Sequence, residues 1–337
     1  MKENRKPAIV YLVVPCYNEE EILDMTAHRL EIKMNALMDK GMLHPDSKVM
    51  FINDGSKDNT WKLIHQYCNE NSLFAGLSLS TNFGHQNAIM AGMMTAKDCA
   101  DAIVTIDADL QQDVEALDEF LERYYEGCDI VYGVRNDRKS DTLLKKGTAT
   151  LYYKLLHWLG CNVKTNHADY RLMSKKALDA LGEFKEVNLF VRGLIPMLGF
   201  QSDVVYFDVK AREAGHSKYT MKKMMMLAIN GITSLSIKPL HFITGMGLAA
   251  TLGSIILCII SIIEWLHGKT VPGYATILIV TLIIGGLILL SLGIIGEYIG
   301  KIYMETKGRP RYIIDSVIWK KKEPGTTTEQ TKTQEGN

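Results

Sequence analysis

The chain has 337 residues, of which 23% are charged, and 38 basic side chains balance 38 acidic ones for a formal net charge of zero. That length suits one large domain or two smaller ones, and the balance excludes the global basic field of a nucleic-acid binder. Six cysteines (Cys16, Cys68, Cys99, Cys128, Cys161, Cys258) are scattered without a CxxC pair, which argues against a zinc ribbon or a disulfide framework and suits a reducing cytosol.

AIVYLVV (8–14) is predicted to be a buried strand and not a signal peptide. It breaks at Pro15, runs into Asn18-Glu19-Glu20-Glu21 and has no small-residue cleavage site. Glu19 to Lys40 reads as a helix, with Ile22, Leu23, Leu30, Met34 and Leu37 or Met38 on one face. VMFIND (49–54) is a strand, and Asp58 to Asn69 is a helix opened by Asp and Asn caps. AGLSLS (75–80), a helix from about His85, AIVTID (102–107), a helix over Asp113 to Tyr125 and DIVYGV (129–134) follow. Strands alternating with helices predict an α/β fold with a mostly parallel, doubly wound, Rossmann-like sheet.

The second half changes character. No residue is charged from Phe242 to Ile263, nor from Tyr274 to Gly296, and each run reaches the ~20 residues that cross a bilayer core. The short EWLHGKTVPG between them makes a two-helix transmembrane hairpin. Lys222, Lys223 and Lys238 precede it, Lys301, Lys307, Arg309, Arg311 and Lys320 to Lys322 follow it, and the loop holds only Lys269. Positive charge therefore predicts a multi-pass protein of the cell (cytoplasmic or inner) membrane, with both termini and the α/β domain in the cytoplasm. YTMKKMMMLAINGITSLSI, with Met221, Met224, Met225, Leu227 and Ile232 beside its lysines, reads as an amphipathic helix in the membrane interface. EYIGKIYMETK after the second span reads the same way. The expected organisation is an α/β domain over 1–218, an interfacial helix over 219–240 and a hairpin over 241–297 (spans about 242–263 and 274–296). A juxtamembrane segment over 298–320 and a disordered polar tail over 321–337 complete it.

Ligands of doubly wound sheets bind beyond the carboxyl ends of the strands. That rule selects PCYNEE, NDGSKDNT and DADLQQD, all polar and acidic. Neither GxGxxG nor GxxxxGKS is present, so an acidic rim without a glycine cradle accepts phosphate only through a bridging divalent cation. In TIDADLQQD, continued strand geometry would point Asp107 and Asp109 the same way, with Gln111 two residues on. The competing reading is a helix cap by Asp109 or Asp113. A lone DxD does not decide between them; the matching polar loops at two other strand ends favour a hard metal, Mg2+ or Mn2+, holding a diphosphate.

VVPCYNEEE, INDGSKDNT, NFGHQNAIMAG and DADLQQD, in this order, resemble glycosyltransferase family 2 with its GT-A fold. YGVRNDR, NHADYRLMSKKAL, REAGHSKYT, two spans and GEYIGKIYMETKGRPRY narrow the resemblance to bacterial polyprenyl-phosphate glycosyltransferases, relatives of dolichyl-phosphate mannose synthase and the bactoprenol glucosyltransferases. It covers roughly residues 7 to 314.

The resemblance implies roles for individual residues. Pro15, Tyr17, Asn18 and Glu19 would lie against the nucleoside, Asp54 against the base and Asp107 near the ribose. Asp109 and Gln111, with Asp107, would hold the metal, and Arg212 and Lys218 would grip the donor diphosphate. Arg135, Arg138, Lys145 and Lys146 would receive the lipid phosphate, Arg135 as the strongest candidate because it ends a strand on the functional rim. Asp169 matches an acid near the reacting centre. It is read as positioning acceptor or sugar, with base catalysis as the weaker alternative and an ion pair with Arg171 as the bland one. The implied reaction is inverting transfer of a sugar from a UDP-sugar to undecaprenyl (polyprenyl) phosphate. Glucose is favoured and UDP-N-acetylglucosamine is the alternative donor. The lipid bilayer, a homo-oligomer, a flippase and a downstream lipid-linked-sugar glycosyltransferase are the implied partners. A processive synthase is disfavoured because none of Trp61, Trp158, Trp265 and Trp319 follows a QxxRW pattern. A non-catalytic scaffold is disfavoured by the intact set of Asp54, Asp109, Gln111, Arg212 and Lys218.

Overall fold

The computed structural model describes residues 6–136, 167–187, 191–208, 238–267 and 273–319. They fall into two compact units, one holding all the strands and one holding two long apolar helices.

The first unit is built on eight strands: β1 (Val10–Cys16), β2 (Lys48–Asn53), β3 (Phe74–Leu79), β4 (Ala102–Thr105), β5 (Ile130–Arg135), β6 (His167–Ser174), β7 (Ser202–Phe207) and β8 (Ile314–Trp319). They form one sheet in the order β7-β5-β6-β4-β1-β2-β3-β8. β4, β1, β2 and β3 pair in parallel, as do β5 and β7. β6 runs antiparallel between β4 and β5, and β8 runs antiparallel along β3. The sheet is therefore mixed and mostly parallel.

β1 is buried on both faces, which is why it reads as an unbroken apolar run. Its alternate residues serve two cores. Val10, Leu12 and Val14 join Leu23, Leu30 and Met34 of α1 (Leu23–Asp39), with Ile64 and Cys68 of α2 (Thr60–Glu70) and Phe120 of α4 (Leu117–Tyr125). Tyr11 and Val13 join Ala88, Met90 and Met93 of α3 (His85–Ala96) and Leu178 of α5 (Lys175–Gly182). α3 lies so close to the sheet that a Cβ on Gly92 would sit 2.5 Å from Val13 Cγ1. A short helix, α6 (Val191–Met197), completes this face.

Several predicted boundaries move for local reasons. α1 begins at Leu23 and not at Glu19, because residues 18–20 are engaged with the loop after β2 and Asn18 takes a left-handed φ of 53°. The helix expected from Asp113 starts as a 3₁₀ turn, Val114–Ala116, with the Asp113 carboxylate accepting from the Glu115 N–H at 3.3 Å. β4 stops at Thr105 and not at Asp107.

Residues 298–320 were expected to form a juxtamembrane segment, yet Ile314–Trp319 is the strand that closes the β3 edge of the α/β sheet. The apolar side chains Val317 and Ile318 pack against the two cores, and β3 would otherwise offer an unpaired edge. The α/β unit therefore does not end at residue 218.

The second unit contains α7 (Lys238–Leu266) and α8 (Tyr274–Thr306), which contact each other. Both are long and apolar enough to cross a membrane, with side chains such as Leu248, Leu252, Ile256, Leu289 and Leu292 exposed. EYIGKIYMETK, expected as a separate interfacial helix, is the continuous last part of α8. At ~1.5 Å per residue α8 is longer than a ~30 Å hydrocarbon core is thick. The interfacial helix expected over 219–240 lies outside the described residues up to 237, as does the tail from 320 onward.

Truncation after Arg309 is expected to lower the melting temperature by about 4–8 °C, corresponding to roughly 2 kcal/mol of lost edge pairing and apolar burial in a domain of this size. Thermal unfolding of the detergent-purified full chain and truncated chain measures it; equal melting temperatures would show that β8 is dispensable.

Candidate active site

The carboxyl ends of β1, β2 and β4 open on one rim. β6, being antiparallel to β4, delivers its amino-terminal end to the same place. The order β3-β2-β1 reverses at the β1–β4 border, which is where such sheets bind ligands.

The loops after β1 and β2 are knitted together. Asn18 N–H donates to Ser56 Oγ at 3.0 Å, Lys57 N–H to Asn18 Oδ1 at 2.8 Å and Glu19 N–H to Thr60 Oγ1 at 2.9 Å. Glu20 accepts from both the backbone and the side chain of Asn59. Pro15 is buried within β1, while Tyr17, Asn18 and Glu19 are half-buried on the rim. Asp54, expected against a nucleobase, is only 3% exposed. Its two oxygens accept from the Phe83 and Gly84 N–H groups at 2.7 and 3.0 Å, fastening the turn that starts α3. Burial pushes its pKa up and those two bonds only partly offset this. Gly55 follows at φ +64°, where a Cβ would meet the Thr81 carbonyl carbon at 2.4 Å; only glycine fits this crossing.

Beyond β4 the chain leaves strand geometry, and Leu110 adopts φ 54°. The strand pleat therefore does not set the directions of Asp107 and Asp109. Exposure nevertheless alternates: Asp107, Asp109, Gln111 and Asp113 are half-buried, whereas Ala108, Leu110 and Gln112 are buried. Gln112 folds back on Asp107. Its Oε1 accepts the Asp107 N–H at 3.0 Å, and its Nε2 donates to Asp107 Oδ2 at 2.6 Å. Asp109 Oδ1 accepts from the Gln111 N–H at 3.2 Å. From below, the buried Thr26 hydroxyl of α1 donates to the Ala108 carbonyl at 2.7 Å. Lys33 of the same helix, 6% exposed, pairs with Glu115 at 2.6 Å and with Asp118.

Asp169 lies on β6 and is 6% exposed. Its Oδ1 accepts from Arg171 at 2.6 Å and from Arg192 Nε at 3.0 Å. Its Oδ2 faces Arg192 Nη2 at 2.8 Å and His85 Nε2 at 3.2 Å. His85 Nε2 also stands 3.6 Å from Asp107 Oδ1. Burial opposes the charge of Asp169, but His85 and the two guanidinium groups together hold its pKa well below the carboxylate range. Burial likewise opposes charge on His85, and Asp169 and Asp107 overcome it, raising the imidazole pKa. Asp107 is shifted up, first by burial and then by the neighbouring Asp169 and Asp109 charges, against His85. The expected pair of Asp169 and Arg171 exists, but it is one edge of a five-residue cluster. The sequence alone does not single out His85, Arg192 or Gln112. His85 lies inside NFGHQNAIMAG, while Arg192 lies in none of the family-like motifs.

Arg135 ends β5 with an exposed side chain. Arg138, Lys145, Lys146, Arg212 and Lys218 lie outside the described residues. Among the described residues no cluster of three or more His, Cys, Asp or Glu side chains could enclose a metal ion. The donor set fits a hard cation all the same. Mg2+ and Mn2+ are commonly held by one or two carboxylates, with substrate phosphates and water completing the shell, and half-buried Asp107 and Asp109 supply such carboxylates.

Comparison with known proteins matches residues 11–182 to the family model Glycosyl transferase family 2. An uncharacterized glycosyltransferase, YkoT of Bacillus subtilis, is 46% identical over 307 residues, 91% of each chain. The bactoprenol glucosyl transferase of Shigella phage SfX is 37% identical over 310 residues, 91% of this chain and 99% of the relative. Among solved structures, the mannosyltransferase PcManGT of Pyrobaculum calidifontis, in complex with GDP-Man and Mn2+, aligns at 13% identity and TM-score 0.40, covering 85% of this chain and 87% of its own.

Asp169→Asn keeps the side-chain shape and strips two guanidinium groups of their anion. Stability at pH 7 is expected to fall by about 3 kcal/mol, the scale of a broken buried ion pair. The folded-state pKa lies below the unfolded one, so this contribution is complete above the ordinary aspartate range of ~4 and is lost as pH falls through the folded value. Thermal melts should therefore show a wide gap between wild type and variant at neutral pH that narrows in strong acid. A gap that does not narrow would overturn the assignment of a depressed pKa to Asp169.

Proposed function

Because the chain belongs to glycosyltransferase family 2, we propose that this glycosyltransferase moves a hexose, glucose before N-acetylglucosamine, from a UDP-sugar to polyprenyl phosphate. The observation that carries the acceptor is the 37% identity to a bactoprenol glucosyl transferase along nine-tenths of the chain, the stretch that includes both apolar helices. Two membrane-spanning helices would tether the enzyme to the bilayer that holds its acceptor.

The chemistry follows from the acceptor. An oxygen of the lipid phosphate attacks the anomeric carbon, the bond from that carbon to the β-phosphate oxygen breaks, and the electron pair leaves with UDP. Attack in line inverts the centre, so an α-linked donor gives a β-linked lipid. The nucleophile is already an anion and needs orientation and charge compensation more than proton removal. An acid whose pKa is held far down is a weak base, so Asp169 serves best as the anchor that fixes Arg192 and His85. Asp109 and Asp107, with Gln111, would hold Mg2+ or Mn2+, which when bound neutralises the diphosphate. Arg212 and Lys218 are assigned to the departing diphosphate and Arg135, Arg138, Lys145 and Lys146 to the lipid phosphate. Fixed cations at such positions stabilise the charge that develops on the leaving group.

The test is a panel of UDP- and GDP-sugars offered to the purified protein with undecaprenyl phosphate and Mg2+ or Mn2+. A single sugar transferred to the lipid is the expected product. Transfer that ignores the lipid, or a growing polymer, would overturn the reading. In the same assay Asp109→Ala should lower turnover by about 100-fold, comparable to loss of a major electrostatic stabiliser.

Both flanks of the hairpin are assigned to the cytoplasm, the compartment of nucleotide sugars. In a cysteine-free background, Gly268→Cys should react with a membrane-impermeant thiol reagent on intact cells, and Lys2→Cys only after permeabilisation. The reverse pattern would place the donor site on the wrong side.

A further inference from the structure

We infer that Gln112 is a positioning residue of the donor site, its buried amide setting the direction of the Asp107 carboxylate. The inference rests on the reading of Asp107 and Asp109 as the edge that meets a metal-bridged nucleoside diphosphate.

Gln112 is 1% exposed, and its amide is spent on a single partner residue. One end accepts the Asp107 backbone N–H at 3.0 Å and the other donates to Asp107 Oδ2 at 2.6 Å. A grip on both the backbone and the carboxylate of one residue restricts the rotation of its side chain. A capping hydroxyl could satisfy the backbone N–H but would not reach the carboxylate as well. The left-handed turn at Leu110, φ 54°, brings Gln112 back over Asp107. The Thr26 hydroxyl holds the intervening Ala108 carbonyl at 2.7 Å, so the turn is fixed from the helix side too. His85 Nε2 stands 3.6 Å from the other oxygen, Oδ1.

The chemistry of the clamp matters as much as its geometry. An amide orients a carboxylate without cancelling its charge, whereas Lys or Arg at this position would form an ion pair and compete with a cation. Asp107 remains 28% exposed at its side chain, so the clamp fixes its direction without covering it. Gln112 touches neither metal nor nucleotide in this assignment; it acts through Asp107.

The experiment measures UDP binding in the presence of Mn2+, by calorimetry, and Mn2+ binding by the loss of the free-ion magnetic resonance signal, on the full-length protein. Gln112→Met keeps the side-chain length and removes both bonds. Its affinity for UDP with Mn2+ should fall by about tenfold or more, the value of a hydrogen bond to a charged group. In an Asp107→Ala background the same substitution should weaken binding no further. If Gln112→Met does not fold, Gln112→Asn, an amide one methylene too short to span both bonds, gives the same reading. Unchanged affinity in the folded variant, or an equal loss with and without Asp107, would reduce Gln112 to a loop brace and overturn the inference alone. A wild-type protein that binds UDP with no help from Mn2+ would overturn the donor-site reading and the inference with it.

Discussion

A buried carboxylate is tolerated only where its charge is answered, because bringing an ion out of water costs several kcal/mol even after relaxation. Asp169 imposes that constraint on the rim. Its own strand answers it through Arg171, and two other elements converge on it: α6 through Arg192 and the first turn of α3 through His85. The antiparallel insertion of β6 between β4 and β5 makes the convergence possible, since a parallel strand would have brought its other end to this edge. Thr105 adds a further stitch, its hydroxyl donating to the Asp169 carbonyl. The position of α3 relative to the acidic loop is thus set by electrostatics at its first residue and by close packing of Gly92 further along.

A second system holds the loops. Asp54, spent on the Phe83 and Gly84 N–H groups, joins the end of β2 to the start of α3. Asn18, Ser56, Thr60 and Glu20 join the ends of β1 and β2. The rim is consequently preorganised by backbone-directed bonds, the arrangement that a site needs if its charged groups are to meet a substrate without reorganising. α1 reaches the same edge from the opposite face through Thr26 and Lys33.

Much of this was legible in the sequence. β1 to β5 were readable because a strand buried on both faces is a plain apolar run, and the polar stretches that follow mark its carboxyl end. Motifs draw attention to Asp107, Asp109 and Asp169, and of the two caps that residue type offers, Asp109 and Asp113, it is Asp113 that opens the helical turn. The partners of those acids were not legible. His85 and Arg192 lie 84 and 23 residues from Asp169, and no local pattern announces which distant cation answers a buried anion. Gln112 was hidden beside Gln111, because only the left-handed turn at Leu110 reveals which glutamine turns inward. β8 was lost for a different reason: after a long apolar helix, IDSVIW is too short and too mixed to be distinguished from a juxtamembrane stretch.

The strand that closes the β3 edge has a consequence that depends on no charge count. β7 precedes both apolar helices in the chain and β8 follows them, yet the two belong to one sheet. A chain that leaves a sheet and rejoins it cannot finish on the far side of a barrier. Whatever bilayer the intervening residues traverse, they traverse it an even number of times, so the sheet itself imposes parity on the topology.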